Sequence, residues 1–294
     1  MNNEPGKKIV FRLLGPLSIY LSGTSVTPTA TKQRQIMTLL ALNAGHVVTV
    51  PTLVEELWGN APPRSSATTL QTYIMQLRNR LSAAVKEDDD NDVRTMISTR
   101  HGGYMLEAQA CQADVPEFMR LARAGRAAVE AGDYPAASDL LGRALALWHG
   151  SALTDMRLGP VLELDAASLE EARLGVLERR IKVDLALDRH TDLLGELTLL
   201  TAKNPMNENF CALLMIALYR SGHVGRALKA YQNIRGVLME ELGVEPCPQL
   251  QRLQQRILAG DPALDTGGPT DHDRDQVSHN GQRQLATSAA GRGR

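Results

Sequence analysis

The chain has 294 residues and a formal net charge of −1, with 43% hydrophobic, 22% charged and 4% aromatic residues. That length is enough for two buried cores, and many Leu and Ala with few aromatics favour helices over sheets. The near-neutral balance gives no chain-wide basic signal for nucleic acid, and no apolar run reaches the roughly 20 residues that span a bilayer.

Residues 1–110 hold 11 Lys/Arg against 9 Asp/Glu, and four of those acids crowd into residues 87–90. Without that run, the first part of the chain is clearly basic. The cysteines Cys111, Cys211 and Cys247 are odd in number and far apart, as expected for a reduced, cytoplasmic protein. The apolar stretch 9–21 is interrupted by Arg12 and Gly15-Pro16 and does not resemble a secretory leader.

Residues 9–14 and 17–21 read as short strands joined at Gly15-Pro16, with a turn at 22–24, so a small antiparallel sheet is expected to open the fold. A helix follows with Thr31 as N-cap and Ile36, Leu39, Leu40 and Leu42 as its apolar stripe, ending at Asn43-Ala44-Gly45. Lys32 and Arg34 stand in its first turn, where positive charge opposes the helix dipole. Either they are simply solvated or they meet a phosphate. Thr49 caps a second helix with Pro51 in its first turn and Leu53, Val54, Leu57 and Trp58 apolar. Pro62 and Pro63 then hold an extended loop that carries Arg64.

Residues 66–84 carry the most informative pattern. Leu70, Tyr73, Ile74, Leu77 and Leu81 share one helical face, with Thr68, Thr72, Met75, Gln76 and Asn79 opposite and Arg78 and Arg80 on the flanks. Amide and hydroxyl groups suit base edges, and flanking guanidinium groups suit phosphates; an ordinary surface helix has the same periodicity. The acidic run 87–92 reads as a solvated loop. Residues 93–99 and 104–106 read as two strands around Arg100-His101-Gly102-Gly103, a wing whose Arg100 can approach a phosphate or a minor groove.

Sheet, three helices and hairpin in that order predict a winged helix-turn-helix. The segments LLGPL (13–17), KQRQIMTLLAL (32–42), LVEELWG (53–59), PPRS (62–65), LQTYIMQLRNRL (70–81) and GGY (102–104) resemble the Streptomyces antibiotic regulatory proteins, whose N-terminal domain is of the OmpR/PhoB type. The similarity continues through Asp114, Phe118 and the segments 132–150, 185–197 and 221–246, which resemble that family's bacterial transcriptional activator domain.

From residue 121 the periodicity is all helical, with breaks at Gly132-Asp133, Asp188-Arg189, Asn204-Pro205 and Gly222-His223. Asp188 and Gly222 lie 34 residues apart in equivalent contexts, the period of tetratricopeptide-like helix pairs. Ala137, Ala144 and Ala227 are expected where paired helices approach closely, and Tyr134, Trp148 and Tyr231 between pairs. The expected organisation is a mainly α chain: a winged-helix domain over 1–110, a helical-repeat domain over 111–260, and a disordered tail over 261–294.

No phosphate-cradling loop, metal-ligand spacing or nucleophile motif occurs, so neither an enzyme nor a cofactor is expected. The resemblance implies a transcriptional activator on double-stranded promoter DNA that binds direct repeats near the −35 region as self-associated protomers. It also implies recruitment of RNA polymerase holoenzyme through its sigma and alpha subunits at a secondary-metabolite gene cluster. Base-proximal candidates are Thr69, Thr72, Gln76 and Asn79; phosphate candidates are Lys32, Arg34, Arg78 and Arg80; Ser98 and Arg100 anchor the wing. Trp58, Pro62, Pro63 and Arg64 are placed like the polymerase-facing segment of OmpR-type activators. Family members often carry small or basic residues where Met75, Gln76 and Asn79 stand, so the preferred base sequence stays open. A helical scaffold that binds no DNA and a repressor on the same fold are the alternatives.

Overall fold

The computed structural model describes residues 8–84 and 95–265. The acidic run 87–92 and most of the predicted tail lie outside the described residues. Among the described residues, those up to Gly125 together with Leu140–Val176 form one compact unit, and Arg126–Asp139 with those from Leu177 form a second.

In the first unit, β1 (Ile9–Arg12) pairs antiparallel with β2 (Ser18–Leu21), which pairs with β3 (Thr24–Ser25). The sheet is not purely antiparallel as expected, because β7 (Cys111–Ala113) runs parallel to β1 on its other edge. Cys-Gln-Ala has no β-branched residue to announce a strand; it pairs because an edge backbone needs partners.

Helix α1 (Thr31–Leu42) starts one residue earlier than predicted: Ala30 is the N-cap, without a side-chain cap, and Thr31 is already helical. Every residue from Gln35 to Ala41 is buried, whereas the expected stripe residue Leu42 is only half-buried. A helix enclosed on several sides loses the one-faced pattern from which a stripe is read. Helix α2 (Val50–Trp58) follows β4 (Val48–Thr49), and the Thr49 hydroxyl accepts from Thr52 N–H at 3.2 Å, the cap that the sequence predicts. Helix α3 (Ser66–Ser82) buries Leu70, Ile74, Leu77 and Leu81.

The wing is β5 (Ile97–Arg100) and β6 (Gly103–Leu106), joined by His101-Gly102 and extended by β4 into a three-stranded sheet. Gly102 has φ +78°, the left-handed region open to glycine. At Gly103 a Cβ would stand 2.2 Å from the Val48 carbonyl oxygen, so the wing joins β4 only through a residue without a side chain.

Three carboxylates tie the start of the chain to residues beyond the wing, within this same unit. Asp114, at the head of α4 (Asp114–Glu130), accepts from Leu13 N–H at 2.9 Å and Leu14 N–H at 3.1 Å. Asp155 accepts from Leu17 N–H at 2.8 Å and pairs with Arg34. Glu56 is 2% exposed and accepts from Gly159, Val161 and Leu162 N–H at 2.7, 3.1 and 2.9 Å and from the Gln35 amide at 3.1 Å. Those backbone groups open α6 (Pro160–Ala186), so Glu56 caps a helix whose first N–H groups would otherwise be unpaired.

The second unit is helical. It contains the first turns of α5 (Tyr134–Ala146), the last part of α6, α7 (His190–Lys203), α8 (Glu208–Arg220), α9 (Val224–Glu241) and α10 (Pro248–Leu258). Helix α8 is buried from Phe210 to Leu218 and packs between α7 and α9. The predicted period is present, since α7 and α9 begin at His190 and Val224, each after a residue with positive φ, Asp188 at +58° and Gly222 at +77°. Both ends close alike: Arg189 N–H donates to Asp184 O at 3.0 Å and His223 N–H to Leu218 O at 2.8 Å. Ala137, Ala144 and Ala227 are fully buried, as expected of helix-contact positions. Residues 261–265 depart from the expected disordered tail, because Leu264 is buried and its carbonyl accepts from Arg220 Nε at 2.8 Å.

Burial pushes the Glu56 carboxyl above its usual range, and its hydrogen bonds from Leu162, Gly159, Val161 and Gln35 only partly offset that. A carboxyl with a raised folded pKa stabilises most below its unfolded pKa, and that contribution is lost as pH rises through the folded value. Urea unfolding at a series of pH values is expected to show the stability difference between wild type and Glu56→Gln shrinking as pH rises across that window. Glu56→Ala, which leaves buried N–H groups unpaired, is expected to lower stability by about 3 kcal/mol.

Candidate nucleic-acid interface

The helix α3 presents two chemically opposite faces. Leu70 and Leu77, 0% and 1% exposed, hold it on the core, while Thr68, Thr72, Met75, Gln76 and Asn79 are exposed on the other side. Thr69 is half-buried at the flank. Thr72 Oγ1 donates to Thr68 O at 3.1 Å, which leaves its lone pairs as outward acceptors. Gln76 Oε1 accepts from Gln33 Nε2 of α1 at 2.6 Å.

The cations fall into two groups. Arg78 is half-buried; its Nε and Nη2 donate to Ile97 O at 2.9 and 2.7 Å, and Nη2 also to Thr99 Oγ1 at 3.0 Å. It braces α3 against strand β5 of the wing. Arg34, 13% exposed, is paired with Asp155 and also donates to Pro28 O at 3.4 Å. The second group faces solvent. Arg80 is exposed, with one 3.5 Å contact to Thr27 O, and Arg100 at the wing is about half exposed beside Glu107 at 2.8 Å. Ser98 is half-buried and its hydroxyl donates to Met105 O at 3.4 Å. His101 at the wing tip is exposed.

Lys32 lies with Nζ 4.2 Å from the centre of the Trp58 ring, and desolvation there lowers its pKa. Beyond Trp58 the chain turns at Gly59 (φ +56°), and Pro62, Pro63 and Arg64 are all exposed. Three residues of this region carried no readable signal in the sequence. Gln33 and Thr99 are single polar residues 43 and 21 positions from the side chains that they meet, and Asp155 is one acid 121 positions from Arg34. Among the described residues, no cluster of His, Cys, Asp or Glu is arranged to hold a metal ion, and no helix is long and apolar enough to cross a membrane.

Residues 24–106 match the family model for the C-terminal domain of transcriptional regulatory proteins, and residues 113–258 match the bacterial transcriptional activator domain. Over 257 residues, 87% of this chain and 94% of the relative, the sequence is 49% identical to the regulatory protein DnrI of Streptomyces peucetius. The chain belongs to the Streptomyces antibiotic regulatory protein family. It is 39% identical to the regulatory protein AfsR of Streptomyces coelicolor over 262 residues, spanning 89% of this chain and 25% of AfsR. The structure of Mycobacterium tuberculosis EmbR in complex with a low affinity phosphopeptide superposes with a TM-score of 0.81 at 29% identity, covering 96% of this chain and 71% of EmbR.

This family member is therefore a transcriptional regulator of the activator type, built as a winged helix followed by a helical domain. Its Arg78 brace ties the helix and wing together. Arg78→Ala is expected to lower stability by about 1–3 kcal/mol through the lost charge-assisted bonds. Arg78→Lys should recover only part of that, because an ammonium cannot present the guanidinium fork. Thermal unfolding of the two variants checks both.

Proposed function

We propose that this activator binds promoter DNA by inserting the exposed face of α3 into the major groove, with the wing against the flanking backbone. The observation that carries this is the division of α3 itself: a fully buried apolar stripe, and opposite it Thr72, Gln76 and Asn79 with open hydrogen-bonding groups. Those side chains, with Thr69 at the flank, read base edges, and Gln76 matches the donor and acceptor pattern of adenine. Lys32, Arg80 and Arg100 supply phosphate contacts, with Ser98 at the wing. Arg34 and Arg78 stand behind these contacts, and their internal partners hold the helices and wing in register for them.

In this reading residues 1–110 bind DNA and residues 111–260 support assembly on the promoter. Membership of the family supports binding as self-associated protomers on direct repeats near the −35 region. Recruitment of RNA polymerase holoenzyme follows, through its sigma and alpha subunits, at an antibiotic or other secondary-metabolite gene cluster. The exposed loop Pro62-Pro63-Arg64 with Trp58 beside it is the polymerase-facing element. The protein acts without a cofactor, in the cytoplasm.

Titration of a duplex enriched from a random library tests this directly. Gln76→Ala is expected to relax preference at one base pair by about 1–3 kcal/mol. Arg80→Ala and Arg100→Ala should weaken all duplexes alike and lower the salt slope by about 1 each. A scaffold that does not bind DNA would retain no duplex at any salt, and a repressor would lower transcription in vitro where this reading expects it to rise.

A further inference from the structure

The side chain of Gln33 comes from α1, outside the helix that faces the duplex, yet it holds the central amide of that face. Gln33 Nε2 donates to Gln76 Oε1 at 2.6 Å. We propose that Gln33 is a positioning residue that fixes which end of the Gln76 amide is offered to the bases, and so sets the base preference at that step. This rests on the reading of α3 as the groove helix.

A primary amide has nearly the same shape at both ends but opposite chemistry, two acceptor lone pairs at one and two N–H donors at the other. On an exposed, unrestrained side chain the two ends exchange freely. A base pair offering acceptors and one offering a donor would then both be satisfied, and little preference would result. With Gln33 donating, one lone pair of Oε1 is occupied, and Gln76 keeps its second lone pair and both hydrogens of Nε2. That set meets the N6 donor and N7 acceptor of adenine together, whereas a cytosine amino group engages only the remaining lone pair and leaves Nε2 without a partner.

The residue that carries the donor stands on a fixed part of the fold. Gln33 is the third residue of α1, its backbone N–H donates to Ala30 O at 3.1 Å, and its side chain is half-buried. Two residues further along the same helix, burial is continuous from Gln35 to Ala41. Contact between two neutral side chains open to water adds little to stability, so the pair is not needed for folding. Closing a duplex over it excludes water and strengthens the bond where it matters for recognition.

Charge-swapped variants of the full chain test the assignment. Gln33→Glu has only acceptors on its side chain, so Gln76 must turn Nε2 toward it. Gln33→Lys has only donors and keeps the native orientation. The probe is the duplex that the wild-type protein enriches from a random library, with each of the four base pairs placed in turn at the position that Gln76→Ala identifies. Opposite charges shift overall affinity in opposite directions, so the readout is the order of the four base pairs. Gln33→Lys is expected to keep the wild-type order. Gln33→Glu is expected to lose it by about tenfold at that position alone, with an unchanged urea midpoint and unchanged preference at other positions. Retention of the order by both variants, or its loss by Gln33→Lys instead, would overturn the proposal while leaving α3 as the groove helix. Failure of the wild-type chain to enrich any duplex would instead remove the reading of α3, and the proposal with it.

Discussion

The carboxylate of Glu56 holds the surroundings of α3 together. It projects from α2, one turn before the loop that leads into α3, and receives three backbone N–H groups at the start of α6 and the Gln35 amide of α1. An anion at a helix N-terminus interacts favourably with unpaired donors and with the helix dipole, and here both are shielded from water. The close fit is built into the sequence at Gly159, where a Cβ would stand 1.9 Å from the Glu56 carbonyl oxygen. Side chain and backbone of one residue thus fix α2 to α1 and α6 at once. Because α3 packs on α1 and α2, its exposed face inherits that fixed position.

Much of this was legible in the sequence, and for a definite reason. Leu70, Ile74, Leu77 and Leu81 keep helical spacing on a helix with one solvent face, so period alone separates the buried residues from Thr72, Gln76 and Asn79. The Thr49 cap, the Gly102 turn and the 34-residue spacing from Asp188 to Gly222 are likewise local signals, and each stands in the fold as expected. What was not legible depends on partners far along the chain. Nothing near Glu56 shows that it meets residues more than 100 positions away, and Arg34 looks like a free surface cation until Asp155 is beside it. The strand at Cys111–Ala113 and the packed turn around Leu264 were missed because their composition is that of a loop, and pairing at a sheet edge and one buried leucine decide their structure.

The arrangement separates two tasks among the cations that composition alone cannot distinguish. Arg78 and Arg34 hold internal partners and keep wing, strand and helices in register, whereas Arg80 and Arg100 remain open to solvent. A near-neutral chain can thereby present a local positive edge around a polar, nearly uncharged helix face. On the proposed reading, such a face discriminates by hydrogen-bond geometry and leaves affinity to its rim. Met75, 54% exposed, adds an apolar surface among these amides and hydroxyls.

Chemical protection of a bound duplex from dimethyl sulfate tests most directly whether α3 occupies the major groove. The reagent reports on guanine N7 in the major groove and adenine N3 in the minor groove. Protection of guanine N7 within the recognised site, abolished when Thr72 and Gln76 are both replaced by bulky acidic residues, is the expected result. A duplex held firmly with every guanine N7 as reactive as in free DNA would contradict it.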